Sequence, residues 1–276
     1  MALTVSPKTL DKICIVYIQI LIHALLLGSF LIVFPWMRNE GGYSILTYTV
    51  CNVYAAFLYV NIMCNMYKVV TVDTSTSLQI LPAVPPPGWN YCSICEANYP
   101  PRAYHCYICR KCILKRDHHC NVAGKCVGHF NYRYYLCLIA YSSLACHLVG
   151  ITSCHYVWSI LGEVSMWSVA SYLFPLFMFA FGALDIYTTC MSFLSFMSWM
   201  FYIFTTGMLV WHSKHVLYNM TTYERRHDIY KYDLGSPENV RRVFGRNWKI
   251  AWISPFISSP LYEDGFKFDL EVPKSR

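Results

Sequence analysis

Hydrophobic residues along this chain fall into long runs with few or no charged residues, and a polar, basic segment at residues 68–133 separates the first two runs from the last. Residues 13–36 and 45–67 contain no charged side chain. Each run exceeds the roughly 20 residues that a helix needs to cross a hydrocarbon core of about 30 Å. Residues 134–213 contain no lysine or arginine, and their only acidic residues are Glu163 and Asp185. The pattern predicts two membrane spans before residue 68 and more after residue 133.

Charge predicts how many spans follow residue 133. Of the 22 lysines and arginines, eight lie in residues 68–133 and eleven follow residue 213. Basic residues concentrate on the cytosolic side of a membrane, so both segments and residues 1–12 are predicted to be cytosolic. An even number of crossings must then separate them. Residues 134–157 and 189–211 form the two clearest spans. Residues 166–184, with Pro175 at their centre, are predicted to be lumenal or re-entrant.

Composition supports a membrane protein. The chain is 56% hydrophobic and 13% charged, whereas about a quarter of the residues in a soluble domain carry charge. Seven of its 14 cysteines fall between Cys92 and Cys126. The cytosol keeps thiols reduced, so this cluster predicts metal binding instead of disulfides. We therefore expect no disulfide-linked partner.

The spacing of the cluster predicts two zinc sites and one spare thiol. The segment contains Cys92-x2-Cys95, His105-Cys106-x2-Cys109-x2-Cys112, Asp117-His118-His119-Cys120 and Cys126. Paired C-x2-C units suit tetrahedral zinc, and two closed sites need eight ligands. If two histidines serve, six cysteines suffice and one remains free. A thiol beside a histidine and a carboxylate is typical of a nucleophile, although counting does not identify which cysteine is free.

Other functions stay open at this point. A scaffolding zinc module of a RING-like ubiquitin ligase needs every cysteine and histidine as a ligand. A nucleic-acid-binding knuckle is weaker because no basic face with interleaved aromatics accompanies the cysteines, and we expect no nucleic acid partner. A transporter needs ionisable residues inside its spans, and His23, His147 and His155 are scattered.

The segment resembles the DHHC family of protein S-acyltransferases, or palmitoyltransferases. The resemblance rests on Pro101-x3-His105-Cys106, Asp117-His118-His119-Cys120 and Cys126-Val127-Gly128-x2-Asn131, and it extends to Thr221-Thr222-x-Glu224 and Asn239 in the tail. Three departures stand beside it: Val122 replaces a tryptophan, Lys125 replaces an asparagine, and an upstream Asp-Pro-Gly motif is reduced to Asp73-Thr74-Ser75. The alternative within the family is an inactive or accessory member.

The resemblance implies a set of roles. One structural zinc is held by Cys92, Cys95, His105 and Cys112, and the other by Cys106, Cys109, His119 and Cys126. Cys120 is the nucleophile, His118 its base and Asp117 the residue that orients the base. Palmitoyl-CoA is the co-substrate, and Thr221, Thr222 and Glu224 tie the last span to the zinc domain.

Two further expectations concern the acyl-CoA. Its phosphates need cations, and Arg102, Lys115, Arg116 and Arg133 lie near the cluster, with Arg102 the predicted contact from its place after the prolines. The alternative is that these charges only follow the positive-inside bias or contact anionic headgroups. Its acyl chain needs a cavity between the spans, with candidate lining residues Tyr134, Tyr135, Tyr141 and Ala145.

The predicted fold class is an all-α polytopic membrane protein with four transmembrane helices and a cytosolic two-zinc cysteine-rich domain between spans 2 and 3. The predicted segments are a cytosolic N-terminus (1–12), spans 1 and 2 (13–67), the zinc domain (68–133), spans 3 and 4 (134–213) and a cytosolic tail (214–276). The expected partners are the lipid bilayer and substrate proteins with cytosolic, membrane-proximal cysteines. The expected membrane is the endoplasmic reticulum first and the Golgi second.

Overall fold

The structure is a computed structural model that describes residues 6–78 and 80–270. Four of its helical segments are long and apolar enough to cross a membrane, and they confirm the four predicted spans. They are Pro7–Asn39, Ile45–Thr71, Tyr132–Leu161 and Ile186–Leu217. Each runs several residues beyond its hydrophobic run, because a helix satisfies its own backbone hydrogen bonds and can continue into the polar interface.

The first span changes its helical winding near its end. Helix α1 (Pro7–Gly28) passes into a π-helical turn at Ser29–Val33 and then into α2 (Phe34–Asn39). Proline has no backbone N–H to donate, and a π-turn just before Pro35 lets the helix continue past it. The hydroxyl of Ser29 donates to the carbonyl of Leu25 at 2.8 Å. Helix α3 (Ile45–Thr71) forms the second span.

The zinc domain contains three antiparallel hairpins with three-residue strands, which the sequence did not predict. They pair β1 (Asn90–Cys92) with β2 (Ala97–Tyr99), β3 (Tyr104–Cys106) with β4 (Lys111–Ile113), and β5 (His118–Cys120) with β6 (Lys125–Val127). The chain then enters α4 (Tyr132–Leu161), the third span. Isolated two-stranded hairpins are marginally stable in water, so these hairpins need further links.

The ambiguous hydrophobic stretch between spans 3 and 4 forms two short helices, α5 (Met166–Leu173) and α6 (Pro175–Ala180). Ser165 caps α5 by accepting from the backbone N–H of Ser168, and Pro175 begins α6. With eight and six residues, neither helix can cross the bilayer. Whether they are lumenal or re-entrant stays a prediction.

The fourth span is α7 (Ile186–Leu217), and two short helices follow it, α8 (Thr222–Arg226) and α9 (Ser236–Phe244). Asn239 on α9 is fully buried. Its amide donates to the carbonyl of Leu217 and to Asp233, both at 2.6 Å, and its side-chain oxygen accepts from the N–H of Leu234 at 3.0 Å. This asparagine therefore fastens α9 to the end of the fourth span.

The chain divides into two compact units. One comprises the described parts of residues 1–18, 63–138 and 209–276. It contains the zinc domain, the tail and the adjoining helix ends. The other comprises residues 19–62 and 139–208, and its core includes Phe34, Met37, Val157 and Met191.

The predicted orientation can be tested with epitope tags. A tag inserted after Gly162, before α5, should bind antibody only when all membranes are permeabilised, whereas a tag in the exposed turn after Arg246 should bind when digitonin opens the plasma membrane alone. The reason is the concentration of basic residues in residues 68–133 and 214–276, which favours a cytosolic location for both. Staining of the Gly162 tag after digitonin alone would contradict this orientation.

Candidate metal centre and active site

The three hairpins repeat one local geometry along the chain. Cys92, Cys106 and Cys120 each end the first strand of a hairpin, at intervals of 14 residues. Each hairpin then turns through one residue with left-handed backbone, at φ values of 50°, 55° and 59°. These residues are Glu96, Arg110 and Gly124. The residues that immediately precede these cysteines therefore occupy equivalent positions in the three hairpins, and so do the three turn residues.

The first predicted zinc site joins the first two hairpins. Nδ1 of His105 lies 3.5 Å, 3.2 Å and 3.9 Å from the sulfurs of Cys92, Cys95 and Cys112. Zinc bonds of about 2.3 Å to sulfur and about 2.0 Å to nitrogen put tetrahedral S–N edges near 3.5 Å. The donor set therefore fits a zinc ion, with two ligands from each hairpin.

The second site repeats the first one hairpin later. Nδ1 of His119 lies 3.6 Å, 3.3 Å and 3.7 Å from the sulfurs of Cys106, Cys109 and Cys126. In both groups the four ligand atoms lie within 4.8 Å of one another. The structure thus brings together the two predicted ligand sets, and each set can hold a metal ion.

Cys120 belongs to neither set, and the repeat explains why. Its position in the third hairpin corresponds to Cys92 and Cys106, which share their metal with Cys95 and Cys109. The residue three positions after Cys120 is Ala123, so the third hairpin lacks the second thiol of a C-x2-C pair. Cys120 is half-buried and free. The spare thiol therefore lies where a third metal site would begin.

His118 and Asp117 stand beside this thiol in the predicted arrangement. Nδ1 of His118 donates to Asp117 Oδ2 at 2.7 Å. The side chain of Asp117 is 4% exposed and that of His118 is 26% exposed. Because the carboxylate accepts from Nδ1–H, the other ring nitrogen remains available as a base.

The environment favours an ion pair between these two residues. Burial alone lowers the pKa of His118, but its hydrogen bond to Asp117 and the neighbouring Cys120 outweigh this effect and raise the pKa to about 9. Burial alone raises the pKa of Asp117, but its hydrogen bond to His118 and the charge of that histidine hold it at about 2. Asp117 is thus ionised, and His118 binds a proton strongly when Cys120 is a thiolate.

Two histidines of the fourth span approach the same carboxylate, and sequence reasoning missed both. The rings of His212 and His118 lie 5.6 Å apart, and Nδ1 of His215 lies 3.7 Å from Asp117 Oδ1. His212 contacts the hydroxyls of Tyr132 and Tyr135 at 3.1 Å and 3.4 Å. The only signal in the sequence was a pair of histidines at the end of a hydrophobic run, which does not identify their partner.

The tail motif also reaches Asp117, a contact that the sequence did not predict. The backbone N–H of Thr222 donates to Asp117 Oδ1, and its hydroxyl donates to Oδ2, both at 2.9 Å. Thr221 and Glu224 form a reciprocal capping box at the start of α8. The expected structural role of this motif in tying the last span to the zinc domain is therefore confirmed.

The geometry does not support Arg102 as a contact for CoA. Its guanidinium is 1% exposed and makes two 2.8 Å contacts with both carboxylate oxygens of Glu224. It also donates to the carbonyl of Asn219 at 2.7 Å and packs against the rings of Tyr232 and Phe268. A buried, bidentate arginine is a structural link, so its charge is not offered to a phosphate.

The other three predicted cations are engaged as well. Lys115 is buried and donates to Asn219 Oδ1 at 2.7 Å, and burial with the nearby charge of Arg102 lowers its pKa to about 7. Arg116 interacts with the sulfurs of Cys126 and Cys106. Arg133 donates to the carbonyl of Ser259 and to the hydroxyl of Tyr134. Their internal partners give these cations structural roles.

Comparison with known proteins agrees with this site. A family model described as DHHC palmitoyltransferase matches residues 86–229. A Danio rerio protein named probable palmitoyltransferase ZDHHC24 is 35% identical over 182 residues, which cover 66% of this chain and 62% of that protein. Proteins of the same name from Rattus norvegicus and Homo sapiens are 32% and 31% identical over 216 residues, which cover 78% of this chain and 76% of each relative. The matched part thus spans less than two thirds of the Danio rerio relative.

The buried pair of Arg102 and Glu224 predicts a large effect on stability. Glu224→Gln leaves the arginine charge buried without its counterion, and this should lower the free energy of unfolding by about 3–5 kcal/mol. Lys111 and Asp73 form an exposed pair at 3.4 Å, so Lys111→Ala should cost only about 0–1 kcal/mol. Thermal unfolding of both variants in detergent checks the difference, and equal melting temperatures would contradict it.

Proposed function

This chain belongs to the DHHC palmitoyltransferase family. We propose that it is a protein S-acyltransferase that moves a long acyl group from acyl-CoA to cysteines of other proteins, with palmitoyl as the expected acyl group. The proposal rests on one observation above all. Of the seven cysteines between Cys92 and Cys126, Cys120 is the one that both metal-binding groups leave out, and it lies next to the hydrogen-bonded pair of Asp117 and His118. A nucleophile, a base and a residue that orients the base are the parts that covalent catalysis needs.

In the first half-reaction the Cys120 thiolate attacks the carbonyl carbon of the acyl-CoA thioester. His118 holds the proton that leaves the thiol, with Asp117 stabilising the imidazolium. The bond between the carbonyl carbon and the CoA sulfur breaks, and the CoA thiolate takes that proton. The product is an acyl-enzyme on Cys120.

In the second half-reaction a substrate cysteine gives its proton to His118 and attacks the acyl-enzyme. The bond from the acyl carbon to Cys120 breaks as the new thioester forms, and Cys120 returns as a thiolate. Both steps exchange one thioester for another, so neither requires ATP.

Two structural zinc ions complete the proposed site. Cys92, Cys95, His105 and Cys112 would hold one, and Cys106, Cys109, His119 and Cys126 the other. Four protein ligands leave no open position on the metal, so the zinc would supply folding stability and not a reactive water. Each ion would join two hairpins that are too short to be stable separately.

The acyl chain requires an apolar space within the spans. Residues of the first three spans enclose a cavity of about 80 Å³, with Ser29, Leu58 and the predicted Ala145 in its wall. We propose that this cavity marks where the acyl chain enters between the helices. The other predicted lining residues have contacts of their own. The ring of Tyr135 lies edge-on to that of His118, the ring of Tyr141 lies edge-on to that of Phe57, and the guanidinium of Arg133 lies over the ring of Tyr134.

The proposed partners follow from this chemistry. The four apolar helices make the protein a multi-pass membrane protein. A thiol that emerges next to the spans would reach substrate cysteines that are cytosolic and close to the membrane. The endoplasmic reticulum remains the first prediction for its membrane, and the Golgi the second.

The acyl-enzyme gives the decisive test. Purified wild type incubated with an alkyne-tagged palmitoyl-CoA should gain a hydroxylamine-sensitive label, and Cys120→Ser should gain none, because the serine hydroxyl is not ionised at neutral pH. Cys190→Ser is the matched control, since Cys190 is an exposed free thiol away from the metal groups. It should label like wild type. A folded, zinc-loaded wild type that takes no label would overturn the transferase proposal and leave the accessory role.

The contact between Thr222 and Asp117 predicts a smaller effect on rate. Thr222→Val removes the hydroxyl bond but keeps the backbone N–H bond to the same carboxylate. A hydrogen bond to a charged group contributes about 1.5–3 kcal/mol, and about 1.4 kcal/mol is a tenfold change in rate. Single-turnover acylation should therefore slow by about tenfold or more. Thr205→Val, which removes only hydrogen bonds to the carbonyls of Phe201 and Tyr202 on its own helix, should keep the wild-type rate.

A further inference from the structure

An acidic residue at the start of the first span touches a ligand of the second metal group. Asp11 lies on α1 and is 7% exposed. Its carboxylate oxygens lie 3.1 Å and 3.3 Å from Nε2 of His119. Nδ1 of the same ring faces the sulfurs of Cys106, Cys109 and Cys126. The imidazole therefore bridges the metal-binding sulfurs and a buried carboxylate 108 residues away in sequence.

The two sides of this ring have complementary requirements. A histidine binds metal through an unprotonated nitrogen, so Nδ1 must be free of its proton and Nε2 must carry one. A carboxylate that accepts from Nε2–H stabilises this tautomer, fixes the plane of the ring and makes the ligating nitrogen more basic. Asp11 is placed to do all three.

The first metal group provides a contrast within the same chain. Its histidine, His105, occupies the equivalent place in the preceding hairpin and faces its three sulfurs in the same way. In the part of the chain that the structure describes, His105 forms no ion pair with a carboxylate, and its ring lies edge-on to Tyr107. The hairpin geometry alone therefore does not require an acidic partner.

The turn of the third hairpin is shaped to receive the first span. Glu96 and Arg110 occupy the equivalent left-handed positions in the other hairpins, so this backbone conformation does not demand glycine here. At Gly124 an added Cβ would lie 3.0 Å from the Cδ1 of Ile15 and 3.8 Å from the Cβ of Asp11. The missing side chain permits the close approach of α1 that brings Asp11 to His119.

We propose that Asp11 is the positioning residue of the second zinc site, acting through the Nε2–H of His119. It would also tie the base of the first span to strand β5, which carries both His119 and Cys120. The inference rests on the zinc occupancy in the proposed function, and it assigns to the first span a role in holding the metal.

The test measures how fast each site loses zinc. Full-length wild type, Asp11→Asn and Asp11→Ala are held in excess chelator with N-ethylmaleimide, and mass spectrometry follows the alkylation of each cysteine. Loss of such an outer partner weakens metal affinity by about 10–100-fold. Cys106, Cys109 and Cys126 should therefore alkylate about tenfold faster or more in the variants, while Cys92, Cys95 and Cys112 keep the wild-type rate. Asp73→Asn is the matched control, since Asp73 borders the same cleft without touching a ligand.

The outcomes separate the two proposals. If wild type holds two zinc ions and Asp11→Asn alkylates at the wild-type rate, Asp11 is not a positioning residue and the transferase proposal stands. If all six cysteines become reactive together in both variants, Asp11 supports the fold in general and the specific role is wrong. A wild type that binds no zinc would overturn both the zinc sites and the role of Asp11. Restoration of slow alkylation in Asp11→Glu would support the carboxylate itself.

Discussion

Asp117 is a carboxylate buried in protein, and such a group remains charged only when donors surround it. His118 supplies one donor, and Thr222 supplies two from the tail beyond the fourth span. His215 lies nearby on that span. The contacts that keep this charge paired also hold His118, the proposed base, in one orientation. Alignment of the proposed base therefore depends on folding of the tail. A second buried pair, Arg102 with Glu224, also joins the tail to the zinc domain.

The spans and the presence of two metal sites were predictable because their signals are local, whereas the assignment of ligands to each site came from the family resemblance. Runs of about 20 apolar residues and C-x2-C units act over short stretches of chain. The contacts around the site join residues about 100 apart, and no local pattern reveals them: Arg102 with Glu224, Asp117 with Thr222, and Asp11 with His119. Arg102 was predicted to contact the CoA phosphates because of its place after the prolines. The structure shows instead that a glutamate of the tail needs that charge.

Two of the three departures from the family pattern lie in the third hairpin. Val122 is half-buried and Lys125 is exposed, and neither belongs to a metal group or to the hydrogen bonds of Asp117. The segment that replaces the upstream motif forms hydrogen bonds with the zinc domain. The backbone N–H of Leu114 donates to the carbonyl of Thr74, and the backbone N–H of Phe130 donates to the hydroxyl of Thr74. None of these differences therefore removes a residue of either metal group or a hydrogen bond to Asp117.

The repeated hairpin explains how a zinc module can carry a nucleophile. In the first two hairpins the cysteine that ends the first strand is followed three residues later by a second cysteine of the same metal group. A metal bound to both sulfurs would occupy the sulfur electron pair that a nucleophile needs. In the third hairpin Ala123 replaces that second thiol, and His118 with Asp117 stands beside the cysteine. A proton acceptor thus takes the place of a metal partner. The same scaffold that would bind Cys92 and Cys106 to zinc leaves Cys120 outside both metal groups, as its proposed role as nucleophile requires.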